Sequence, residues 1–142
     1  MGANGSRTAG TELPLIRGEF GAGAYGPTIR LLVRSPVGVV WLREVFLSLA
    51  NAQIGTTRNL ESLPEVSMPS VGRLELVVAS RTPRPRLTAE EYGFTWIADN
   101  QDWLSAALLL DPFSSGQAGH QYFTDESVDA ALIEVSFGED ER

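Results

Sequence analysis

The chain has 142 residues, with 18 acids against 11 basic residues and one histidine, for a net charge of −7, and it contains no cysteine. Disulfide scaffolds, zinc fingers, iron–sulfur clusters and cysteine nucleophiles are therefore excluded. Every basic residue is arginine, which also excludes Schiff-base lysines and lysine-dependent phosphate loops.

Residues 1–27 are rich in glycine and read as a flexible lead-in, with Leu13 to Ile16 able to pair at a sheet edge. Met1 to Thr11 has no apolar centre of the secretory kind, so a soluble cytoplasmic protein is expected. The glycines at Gly21, Gly23 and Gly26 precede a strand, whereas a dinucleotide fingerprint follows one and opens a helix.

Thr28 to Arg34 is the first expected strand, with Ile29, Leu31 and Val33 alternating against Arg30, Leu32 and Arg34. Ser35 and Pro36 look like an N-cap followed by proline at the first helical position. Leu42, Val45, Phe46 and Leu49 then form one stripe of an amphipathic helix within Val37 to Ala52. The β-branched start of that segment makes a hairpin the rival reading. Its length and its charges at Arg43 and Glu44 argue against a membrane span.

Gln53 to Val71 reads as a long connection with room for an edge strand. Arg73 to Ser80 is the next strand, with Leu74, Leu76 and Val78 on one face. Arg81 to Arg86 is a proline-stiffened loop and the chain's one basic patch. Tyr92, Phe94 and Trp96 fall at every second position of a strand and are expected on its core face. Asp99 or Asn100 should cap a helix with Asp102 in its first turn, where a carboxylate faces unpaired amides. Trp103, Leu104, Ala107, Leu108 and Asp111 follow one face of that helix, and Pro112 should end it. After the loop Ser114 to Gly119, Ala131, Ile133, Val135 and Phe137 alternate against Leu132, Glu134 and Ser136 in a last strand.

The expected order, β-α-β-β-α-β, is that of a ferredoxin-like α+β two-layer sandwich with an antiparallel sheet. The expected organisation is a lead-in over 1–27, one α+β domain over 28–138 and an acidic tail over 139–142. No internal repeat is visible. From Asp99 onward there are ten acids and one arginine, against eight acids and ten arginines before it. Such a half repels phosphate backbones and attracts basic partners, so nucleic acid and membrane are not expected partners and a basic protein is.

His120, Tyr122 and Asp125 are the candidate catalytic residues, because imidazole beside a carboxylate can act as a base. No nucleophile motif accompanies them, and ring packing that pins the loop explains the same residues. Asp99, Asp102, Asp111, Asp125, Glu126 and Asp129 are the acids available to a hard cation, yet no stretch matches a calcium loop. One histidine and no cysteine suit zinc or copper poorly, so neither metal nor cofactor is expected. Trp96 and Trp103 read as core anchors rather than stacking platforms for bases.

Two functional readings follow. The first is a small acidic, non-enzymatic interaction or inhibitor module, of which a bacterial toxin-neutralising protein is an example, binding through Tyr122, Asp125, Glu126 and Asp129. The alternative is a small enzyme or anionic-ligand domain using His120, Tyr122 and Asp125, with Arg30 or Arg73 as the clamp. Self-association into a homo-oligomer through a sheet face or edge is a third reading.

Overall fold

The computed structural model describes residues 14–81, 86–123 and 132–138. Among the described residues, nine strands fall into two mixed sheets. In the first sheet, β1 (Ile16–Gly23) and β2 (Gly26–Val33) form a hairpin, and β9 (Leu132–Phe137) lies parallel beside β2. Outside these, β8 (Gly119–Tyr122) pairs antiparallel with β9, and the two-residue β4 (Val66–Ser67) lies along β1. In the second sheet, β6 (Arg86–Glu90) and β7 (Gly93–Asp99) form a hairpin. There β5 (Arg73–Ala79) lies parallel to β7, and β3 (Thr57–Asn59) pairs antiparallel with β5 at the edge.

Helix α1 (Pro36–Ala50) packs on β2 and β5, one strand from each sheet, and α2 (Asn100–Leu109) packs on α1 and β7. A single turn, α3 (Asp111–Ser114), follows. The aromatic centre of the core is Phe46 of α1, with ring centroids 5.6 Å from Trp96 and 5.8 Å from Trp103. Phe20 of β1 touches Phe94 of β7 at 5.2 Å, so the inward faces of the two sheets also meet directly.

The expectation of a ferredoxin-like β-α-β-β-α-β sandwich on one antiparallel sheet is overturned. The four strands expected from sequence are present, but they divide between two sheets and pair in parallel, β2 with β9 and β5 with β7. Periodicity locates a strand without naming its neighbour, and the additional strands are short or rich in glycine. Residues 16–23, expected within the lead-in, form β1, whose large inward side chains are only Ile16 and Phe20. Tyr92, expected on the core face with Phe94 and Trp96, instead occupies the β6–β7 turn and is 76% exposed. The rival hairpin over 37–52 gives way to α1, capped by Ser35, whose hydroxyl accepts the amide of Gly38 at 3.3 Å.

The pairing also exposes a repeat that the residues alone conceal. Each half runs hairpin, helix, antiparallel strand pair: β1-β2-α1-β3-β5 and β6-β7-α2-β8-β9. Each half's last strand crosses to the other half's hairpin, so one sheet reads β4-β1-β2-β9-β8, with the short β4 at its edge, and the other β6-β7-β5-β3. The two hairpin turns share Tyr-Gly-x-Thr, at Tyr25-Gly26-Pro27-Thr28 and Tyr92-Gly93-Phe94-Thr95. In both, the non-glycine turn residues keep negative φ, and the glycine that follows takes a positive value, +123° at Gly26 and +158° at Gly93.

Candidate functional site

The first sheet has two unlike faces. Ile29, Leu31, Val33, Ile133, Val135 and Phe137 belong to the core, and the residues between them point the other way. On that second face the register sets Glu19, Arg30, Glu134 and Tyr122 side by side in one row. Arg17, Leu32, Ser136 and His120 form the next. Leu32 and Leu132 are buried here without joining the main core.

The centre of the face is Glu134, only 5% exposed. Burying a carboxylate is costly unless it is paired and hydrogen-bonded. Arg30 Nε donates to its Oε1 at 3.2 Å, and the Ser136 hydroxyl donates to Oε2 at 3.3 Å. On the flank, His120 and Tyr122 stand two residues apart on β8 and so face the same way. Their rings meet edge to face at 5.6 Å. Tyr25 reaches across from the β1–β2 turn and meets Tyr122 edge to face, also at 5.6 Å. Beside the row, a cleft of about 150 Å³ opens against Glu19, Gly21, Thr28 and Arg30.

Tyr25 escapes the sequence reading; its signal was a lone aromatic in a glycine-rich turn. Asp125, Glu126 and Asp129 lie outside the described residues, as do residues 139–142 and most of the 81–86 basic loop. The segment that carries those three acids joins Phe123 to Leu132, and the Phe123 amide bonds the Ile133 carbonyl at 2.8 Å.

The two arginines considered as anion clamps are both committed to carboxylates. Arg30 pairs with Glu134, and Arg73, in the other sheet, pairs with Glu90 at 3.1 Å. Glu90 also accepts the hydroxyl of Thr95 at 2.9 Å. Of the acids weighed as cation ligands, Asp99 accepts the Asp102 amide at 2.8 Å as the N-cap of α2, and Asp111 faces Arg43 at 3.5 Å. Among the described residues no three histidine, aspartate or glutamate side chains converge as a metal site. No described helix is long and apolar enough to cross a membrane.

No protein family, curated protein or solved structure matches this chain.

Proposed function

We propose that the chain is a non-enzymatic protein-interaction module of the cytoplasm that binds, and on binding neutralises, a partner with a basic surface. Toxin-neutralising proteins exemplify the type. The observation that carries this reading is the Tyr25–Tyr122 pair, with Tyr25 63% exposed, placed where the chain runs on into Asp125, Glu126 and Asp129. Stiff aromatic anchors make hot spots, and charges of one sign steer association with a partner of the other. The committed state of Arg30 and Arg73 leaves the anionic-ligand alternative without a matching observation.

The test is affinity capture from the native host with the wild type beside Tyr25→Ala/Tyr122→Ala, followed by kinetics on the captured partner. Loss of the tyrosine pair should weaken binding by about 2 kcal/mol, or about thirtyfold in Kd. Charge reversal at Asp125, Glu126 and Asp129 should slow association, and raised salt should shrink that difference. A partner held equally well by the tyrosine variant overturns the reading.

A further inference from the structure

The sheet edge along β1 deepens the partner reading, on which it rests. Strand β1 runs over eight residues, but β4 covers only Ile16 and Arg17. At Phe20 the neighbouring segment supplies a side chain instead of a strand, and the Phe20 amide donates to the Ser70 hydroxyl at 3.1 Å. Phe20 therefore turns its amide away from β2, and because ladder groups alternate along a strand, Ala22 does the same. The residue opposite Ala22 on β2 is Pro27, which has no amide hydrogen to offer. The Ala22 amide accordingly has no acceptor among the described residues. Phe20, Gly21 and Ala22 are all exposed. A strand edge left open in this way is a template for a further strand.

Two features of the outer face select what pairs there. The first is room. A side chain at Gly21 would meet no atom within 4 Å, and the cleft of about 150 Å³ lies against it, with Glu19, Ala22, Thr28 and Arg30 in its lining. A glycine inside a strand lets another backbone approach closely. Counted from the glycines of the hairpin turns, the second half carries Thr88 at the matching position, so the first half leaves open what the second fills. The second feature is charge. Glu134 takes the Nε of Arg30, and the Glu19 carboxylate has no ion pair among the described residues. The row of Glu19, Arg30 and Glu134 thus sets two acids against one arginine beside the opening. A second copy of this chain, itself at −7, would bring like charge to that edge; a basic segment brings the opposite.

We propose that an extended, basic segment of the partner protein adds as a strand along residues 20–22 of β1 and sets a lysine or arginine side chain in the cleft at Gly21, opposite Glu19. Main-chain bonds to the open edge supply affinity, and alternate side chains supply specificity. The basic side chain lies on the outer face, and its apolar neighbour lies beside Phe20.

The probes are two blocked hexapeptides, one alternating lysine with valine and the other alternating glutamate with valine. In the unaltered chain the lysine peptide should bind saturably, shift the amide resonances of Phe20 and Ala22, and slow solvent exchange of the Ala22 amide. The glutamate peptide should bind at least about tenfold more weakly at low salt. Glu19→Gln should cut that preference by about two- to fivefold, the worth of one exposed ion pair. Ala22→Pro removes the open amide and leaves the β1–β2 ladder intact, a substitution that edge strands accept, and it should abolish binding. Failure of the lysine peptide to saturate overturns the proposal, as does equal binding of the glutamate peptide or binding that leaves exchange at Ala22 unchanged. These are read in the unaltered chain, so they decide the matter whether or not either variant folds. The partner reading is tested separately: a captured partner that needs Tyr25 and Tyr122 but holds Ala22→Pro equally well leaves that reading in place and removes this one.

Discussion

At the scale of single residues, Asn100 has the most consequential environment. Its side-chain amide donates to the carbonyls of Leu49, Ala50 and Ala52 at 3.1, 3.0 and 2.9 Å. It thereby caps the end of α1, where carbonyls lack helical partners, from the first position of α2. The sequence presents Asp99 and Asn100 as rivals for one cap; the structure uses Asp99 for α2 and Asn100 for α1. Asn100→Ala should lower unfolding free energy in urea by about 1–3 kcal/mol, since it removes a donor shared by three part-buried carbonyls, of which, among the described residues, Leu49 alone keeps an amide partner, that of Ala52. Asn100→Asp should cost at least as much, because a carboxylate only accepts and would face both carbonyls and the negative end of the α1 dipole. Glu134 makes a parallel case: Arg30→Ala should cost about 1–3 kcal/mol, discounted because a third of the Arg30 side chain is exposed. Replacing the pair together, Arg30→Met with Glu134→Leu, should restore most of that loss in the same urea titration.

Among the elements, α1 and α2 show how far periodicity reaches. The stripe Leu42, Val45, Phe46 and Leu49 is buried as expected, because α1 packs on both sheets and only large side chains fill that space. On α2 the expected face of Trp103, Leu104, Ala107 and Leu108 is turned by about one position. Trp103, Ala106 and Ala107 are buried, while Leu104 is 36% and Leu108 51% exposed. Hydrophobicity favours the leucines, but the alanines let α2 come close to α1 and β7. Ala107→Leu should therefore cost about 1–3 kcal/mol by overpacking. Leu108→Ser should stay within about 0.5 kcal/mol of wild type, both read as shifts in denaturant midpoint. Pro112 likewise does not itself end α2. The helix stops at Leu109 and the proline lies in the first turn of α3, which starts at Asp111, where amide hydrogens have no helical acceptor to lose.

For the molecule as a whole, the exchange of last strands ties the two halves together. Arg30 and Glu134, partners in one ladder, are 104 residues apart in sequence. Neither half can complete a sheet alone, since β2 needs β9 and β7 needs β5. Fragments 1–81 and 82–142 should accordingly each lack cooperative unfolding and the dispersed near-ultraviolet signal of packed tryptophans. Mixed together they should recover both, measured by circular dichroism. Independent folding of either fragment would contradict the exchanged topology. Such distant pairings also predict folding in milliseconds to seconds rather than microseconds, measurable by stopped-flow fluorescence.

Local chemistry was enough to place the α1 stripe, its Ser35–Pro36 start and the strands seen as β2, β5 and β9, because caps and periodicities act over a few neighbouring residues. Which strands would lie together was decided only in three dimensions. A strand's pattern records which face is buried, and β9, buried on both faces between β2 and β8, records nothing about its neighbours. The same holds for Tyr25 meeting Tyr122, a contact between distant segments, brought together by the crossing of the two halves, that no local spacing encodes.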